Sequence, residues 1–158
     1  MPPIPFPEND LDLLFKQTEL ILRSYHRWLG RDLIASMDHS YEQARALFEA
    51  PMVVAASDNA QEPRLIYGNR KALELWQLTW DEFTRMPARQ TAEPVEQAAR
   101  DQFLNEVRKN GFISDYSGIR ISSTGRRFWI KQATVWNLTG EKDEYLGQAV
   151  LFNQYDYL

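Results

Sequence analysis

The sequence predicts a single α+β domain in which helices cover one antiparallel sheet. Three observations predict it. Apolar residues recur at helical spacing through the first third of the chain. Short β-branched or aromatic runs then occupy two stretches before residue 70 and three longer ones after residue 111. Turn residues punctuate each change of pattern. Two strands before a group of helices and three after it imply a five-stranded, largely antiparallel sheet with helices on one face, preceded by two N-terminal helices. The 158 residues suffice for one such domain with one core.

Residues 1–8 are proline-rich. Proline fixes φ and lacks an amide donor, so they predict an extended arm. Residues 9–50 predict a helical extension. Asn9 or Asp10 is placed to cap a first helix. Its Leu11, Leu14, Phe15, Thr18, Ile21, Leu22, Tyr25, Trp28 and Leu29 recur three and four apart, and Gly30 is a natural stop. A second helical pattern passes through Leu33, Ile34, Met37, Tyr41, Ala44, Leu47 and Phe48 and ends before Pro51.

Residues 51–158 predict the sheet-bearing core, continuous with the rest as one structural domain. Met52 to Ala56 and Leu65 to Tyr67 form a predicted hairpin, joined through the turn-like Ser57-Asp58-Asn59-Ala60. Asn69 sits where a helix begins, and Thr79 with Glu82 fits a capping box before a short second helix. Pro94 suits the first turn of a longer helix, whose apolar face is read as Val95, Ala98, Ala99, Phe103, Leu104 and Val107. Asn110-Gly111 ends it. Three strands follow, from Tyr116 to Ser122, Arg127 to Leu138 and Tyr145 to Gln154, with a tight turn at Ser123-Thr124-Gly125.

Composition removes several chemistries. The chain has no cysteine, which excludes disulfides, thiolate metal sites, iron–sulfur ligation, cysteine nucleophiles and covalent cysteine–chromophore adducts. A formal net charge of −4 argues against a general nucleic-acid or anionic-membrane binder. The N-terminus lacks a basic stretch followed by an apolar run, and no apolar run approaches the ~20 residues of a bilayer span. A cytoplasmic location is expected. No Gly-x-Ser-x-Gly elbow, glycine-rich phosphate loop or His-Glu-x-x-His motif is present, so no catalytic residue is assigned. Asp115 beside Tyr116 is the one pair weighed for acid–base work.

The order of elements resembles the PAS fold. Ile66-Tyr67-Gly68-Asn69 followed by Ala72 and Leu75, Trp80-Asp81-Glu82-Phe83, and Gly125 to Ile130 followed by Tyr145-Leu146-Gly147 are similar to its local signatures. A closer resemblance, across about residues 20 to 154, is to the MEKHLA domain, a PAS-related family. It rests on Tyr25-His26-Arg27-Trp28-Leu29-Gly30, Tyr67-Gly68-Asn69-Arg70, Ala88 to Pro94, and the long block from Asp115 to Phe128. The resemblance implies a sensory domain for light, oxygen or redox state, but a fold does not fix a function.

Candidate site residues follow from strand periodicity. Phe128, Ile130, Gln132, Thr134, Trp136 and Leu138 fall on one face of the long strand, as do Leu146, Gln148, Val150, Phe152 and Gln154 on the last. The expected pocket, between the sheet and the helices of residues 69–110, is therefore lined by Tyr67, Asn69, Trp76, Phe112, Gln132, Trp136, Gln148 and Phe152. Aromatics would supply area and amides orientation, for a non-covalent small molecule or a flavin. The alternative is a filled core in which glutamines satisfy backbone groups. His26 and His39 lie in the N-terminal helices, away from where a PAS haem would need an axial imidazole, which argues against haem. Metal ligation is not expected.

Arg89, Glu93, Asp115, Tyr116, Arg120, Arg126 and Arg127 form a second, polar group. It reads either as an arginine fork for an anionic ligand or acidic partner, or as an ion-pair network tying the hairpin to a helix. Trp129, Ala133 and Val135 fall on the opposite sheet face and need cover, by the first helix or by a second copy. A homodimer is expected, with a protein partner in trans as the other route for a signal. The functions left open are a non-catalytic ligand-binding sensor, a ligand-free dimerisation domain, and a flavin-based light or redox sensor.

Overall fold

A computed structural model describes residues 3–158; Met1 and Pro2 of the predicted arm lie outside the described residues. The chain forms α1 (Leu11–Leu29), α2 (Ser40–Phe48), β1 (Val53–Ser57), β2 (Leu65–Gly68), α3 (Arg70–Trp76), α4 (Trp80–Phe83), α5 (Pro94–Asn110), β3 (Phe112–Ile121), β4 (Arg127–Thr139), β5 (Tyr145–Phe152) and β6 (Gln154–Tyr157). Most punctuation behaves as its chemistry requires. Gly30 closes α1 in the left-handed region, Asn69 caps α3, Thr79 and Glu82 form a reciprocal capping box on α4, and Pro94 opens α5.

Two expectations at the N-terminus are corrected. The cap at Asp10 makes no side-chain hydrogen bond; the chain enters α1 through a single 3-10 turn at Glu8–Asp10. The second helix starts at Ser40, and residues 30–39 are irregular. Leu33 and Ile34 pack against the core at partial burial from this loop and Met37 is half-buried, so their helical spacing overstated the helix. The arm itself is docked. Phe6 is buried edge-on against Tyr41 and Phe48, and the Ile4 carbonyl accepts a hydrogen bond from Arg70 Nε.

The sheet is antiparallel with strand order β2-β1-β5-β4-β3. The last predicted strand, Tyr145 to Gln154, ends at Phe152, and after Asn153 a further short strand that the sequence did not predict, β6, pairs with Phe128 to Lys131 of β4.

A larger correction lies within β4. Gln132 has φ 51, in the left-handed region, where it inserts a bulge. One extra residue reverses which side chains face inward. Before the bulge, Phe128 and Ile130 face α3 and α5. After it, Ala133, Val135 and Asn137 do, while Trp136 and Leu138 turn to the other side. Ala133 and Val135 are therefore on the inner face, not the outer.

α1 covers the outer face. Registered partners across the strands share a face, so Tyr67, Ala56, Ala149, Trp136 and Phe112 form one row spanning the sheet. Two alanines in the middle of the row leave space for a helix to lie close. Tyr25 meets Trp136 edge-on at 5.0 Å between ring centroids. Trp28 Nε1 donates to the Asn137 carbonyl at 3.0 Å. Ser24 Oγ accepts from the Thr139 amide at 2.9 Å and donates to its carbonyl at 3.4 Å, satisfying the end of β4 as a neighbouring strand would. No helix among the described residues is long and apolar enough to cross a membrane.

Candidate functional site

α3, α4 and α5 arch over the inner face, and a cavity of about 80 Å³ remains between α5 and the sheet. Its wall combines Ala55, Ser57, Ile130, Val135 and Val150 from the strands with Trp76, Phe103 and Leu104 from the helices. Five polar side chains join them: Thr91, Arg100, Tyr116, Arg120 and Gln148.

Each polar group is held by identifiable contacts. Arg100 lies one turn before Phe103 and Leu104, which brings it to the buried side of α5. Its side chain is 12% exposed, and its one carboxylate contact among the described residues is Asp101 at 3.5 Å, itself 48% exposed and shared with Arg89. Burial first, then the neighbouring Arg120 charge, lowers the Arg100 pKa to about 10. Arg120, on β3, is 8% exposed. It donates from Nη1 to the Ile119 carbonyl at 2.8 Å and from Nη2 to the Tyr116 hydroxyl at 3.0 Å. The Tyr116 ring stacks on Phe103 of α5 at 3.7 Å between centroids. Gln148 Nε2 donates to the Leu104 carbonyl at 2.9 Å and to Asn137 Oδ1 at 3.3 Å, while Asn137 Nδ2 donates to the Arg108 carbonyl at 3.1 Å. These two amides fasten α5 to the sheet.

Of the eight residues expected in the pocket, Trp76 and Gln148 line this cavity. Phe152 packs against Trp76 on the same inner side. Tyr67, Phe112 and Trp136 belong to the outer row beneath or beside α1. Tyr67 is fully buried against Trp80, and desolvation pushes its pKa upward. Gln132 is exposed and accepts a hydrogen bond from Gln154. Asn69 is a buried clamp. Its Oδ1 accepts from the Val54 and Ala72 amides at 3.0 and 3.1 Å, and its Nδ2 donates to the Met52 and Leu47 carbonyls at 2.8 and 3.3 Å.

The polar group divides in the same way. Tyr116 and Arg120 face the cavity. Arg127 pairs with Glu93 at 2.7 Å, tying the β3–β4 hairpin to the start of α5. Arg89 sits between Glu62 and Asp101. Arg126 lies over the Tyr157 ring, and Asp115 is exposed at a bulge with φ 63. The turn between the strands docks on α3 through Ser122 and Ser123, which donate to Gln77 Oε1 and its carbonyl at 2.7 Å each.

Sequence reasoning missed Arg100, Phe103, Leu104, Ile130, Val135 and Asn137 as site-building residues. A signal for Arg100 existed: Arg100, Phe103, Leu104 and Val107 keep helical spacing, with the arginine inside the apolar series. Val95, Ala98 and Ala99, assigned to that face, are exposed.

A second concavity, an open groove of about 1120 Å³, runs between the N-terminal arm, the first turns of α1, and α3–α4. Exposed side chains dominate its lining, and the one buried, unpartnered polar atom among its described residues is Gln17 Oε1. The smaller inner cavity has the chemistry. His26 and His39 are exposed in the N-terminal segment, His26 3.9 Å from Asp32. No cluster of metal-ligating side chains occurs among the described residues.

The MEKHLA domain profile matches residues 15–157. The chain belongs to the MEKHLA domain family. Solved structures place this MEKHLA domain in the PAS fold. A PAS domain from Colwellia psychrerythraea aligns with TM-score 0.61 at 15% identity, covering 77% of this chain and 98% of that one. A light-oxygen-voltage domain studied with a flavin analogue aligns with TM-score 0.58 at 15% identity, covering 78% and 88%. An RNA-binding light-oxygen-voltage receptor aligns with TM-score 0.63 at 15% identity, covering 75% of this chain and 34% of that one. At this identity the likeness concerns the fold alone. No curated protein matches the chain.

Proposed function

We propose that this MEKHLA domain is a non-catalytic sensory module that binds a small molecule in the cavity between α5 and the sheet. The observation that carries the reading is the convergence of Arg100, Tyr116, Arg120 and Gln148 on one largely apolar space. An apolar wall with a few fixed polar groups is how small-ligand sites gain affinity and orientation together. Because Gln148 and Asn137 also hold the α5 backbone, a ligand at this wall acts on the attachment of that helix. Catalysis gains no support from the pair weighed for it: Asp115 is exposed at its bulge while Tyr116 is stacked on Phe103.

The residues do not fit a flavin. The cavity of about 80 Å³ is far below the ~300 Å³ at which ligand sites usually begin. One of the two expected ring-edge amides, Gln132, is on the surface, and Gln148 Nε2 is committed to α5.

Val135→Phe should fill the cavity from the strand side. The wild-type melting temperature is expected to rise with at least one member of a panel of small metabolites, and the folded variant should lose that rise. A panel that leaves the wild type unmoved, or shifts both proteins equally, refutes the site.

A second reading, dimerisation, is favoured by Trp129. It is 43% exposed on the part of the outer face that α1 does not reach, with Ile119 as its β3 partner.

A further inference from the structure

We infer that the cavity is an anion site, and that its ligand is a short aliphatic carboxylate of about two to four carbons. The inference rests on the cavity being the ligand site and names what enters it.

The first argument is charge. Arg100 and Arg120 are both withdrawn from water, and the Arg120 charge lies close enough to disfavour that of Arg100. Buried guanidinium groups are normally compensated by carboxylates, because an unpaired buried charge is costly. Here the carboxylate contact is a single half-exposed Asp101 at the rim of Arg100, shared with Arg89. Arg120 has no carboxylate within 4 Å among the described residues, only one carbonyl and the Tyr116 hydroxyl.

The second argument is the donor balance of the wall. Arg100 and Arg120 can only donate. The Tyr116 oxygen accepts from Arg120, which leaves its own hydrogen to be given away. At Arg100, Arg120 and Tyr116 donors outnumber acceptors, and an acceptor-only group, which an ionised carboxylate is, meets them.

Size and the remaining wall select the class. At about 80 Å³, well under the ~300 Å³ of usual ligand sites, the space selects a molecule of a few heavy atoms. The rest of the wall includes Ala55, Ile130, Val135 and Val150, which suits a short hydrocarbon tail. A phosphate would turn charged oxygens toward those residues with no donor to meet them.

Gly118 supports the arrangement. A Cβ built there would lie 2.4 Å from the Tyr116 hydroxyl and 3.1 Å from Arg120 Nη1, while its backbone lies outside the left-handed region. A side chain at 118 would push on the Tyr116 hydroxyl and the Arg120 guanidinium, so glycine leaves this pair room to lie across the strand.

The test uses the full chain at constant ionic strength, with sodium propionate, its neutral isostere propionamide, and inorganic phosphate as probes. Calorimetry and thermal melting are the readouts. Propionate should bind and raise the melting temperature; propionamide and phosphate should bind at least tenfold more weakly, since one charge-assisted contact is worth about that. Arg100→Met should abolish the propionate shift while melting at the same or a higher temperature than the ligand-free wild type. Loss of stability in that variant together with intact propionate binding would mark Arg100 as a structural charge and overturn the inference. Gly118→Ala gives a second route, displacing Tyr116 and Arg120 without removing charge, and should weaken propionate about tenfold or more. Tighter binding of propionamide than propionate would overturn the anion inference and leave the cavity as a ligand site. Preference for phosphate would overturn the carboxylate assignment, and binding of none of the three would overturn the inference outright.

Discussion

Gln132 shows how much one residue decides. A non-glycine residue at φ 51 costs about 1 kcal/mol or more, and the bulge it creates sends Val135 to the cavity and Trp136 to α1. Gln132→Gly relieves the strain and should leave stability unchanged or raise it by a few tenths of a kcal/mol in urea denaturation. A β-branched Val at the same place should lower it by roughly 1–2 kcal/mol. Equal stabilities for the two variants would show that the left-handed geometry is not what the position requires. This residue is also why the site was half legible. A glycine would have marked a bulge in the sequence. A glutamine gives no such mark, and alternation carried through position 132 put every later residue of the strand on the wrong face.

At the scale of elements, capping and turn chemistry were readable because they depend on neighbours within four residues. Asn69, Thr79, Glu82, Pro94 and Gly111 each sit where their local chemistry places them. What Asn69 does beyond capping was not readable. Its amide joins the ends of α2, the approach to β1, β1 itself and α3, contacts 15 to 22 residues away along the chain as well as three. Asn69→Ala should cost about 2–4 kcal/mol, because four buried backbone groups lose their partner at once. Asn69→Asp keeps the acceptor but loses both donors to Met52 and Leu47, and should be no better. Urea denaturation of the two variants measures this; a loss under about 1 kcal/mol in both would show the clamp to be dispensable. The buried arginine of α5 was missed for a related reason: a charge inside an apolar series looks like a solvated position until the fold shows what faces it.

For the whole molecule, the layers follow from pattern: helices over an antiparallel sheet, with the N-terminal helix taking the second face. The cover is partial. α1 crosses the row from Tyr67 to Phe112, whereas Trp129 stays 43% exposed beside Lys131, with Asp156 as its partner on β6. If this patch joins two copies, sedimentation at micromolar concentrations should report a dimer for the wild type and a monomer for Trp129→Asp, with unchanged secondary structure in both. A wild-type monomer throughout that range would refute the dimer.

The break at Asn153 bears on solubility. Had β5 run on unbroken, its far end would offer a long, flat ribbon with one row of free amides and carbonyls, a template on which other chains could stack. Instead the ribbon is interrupted, and the piece beyond is four residues long and carries Asp156. Lys131 pairs with that aspartate, so a charge of each sign stands over the edge. A strand so short and so marked is a poor seed for cross-β growth, even though it displays two exposed tyrosines, Tyr155 and Tyr157.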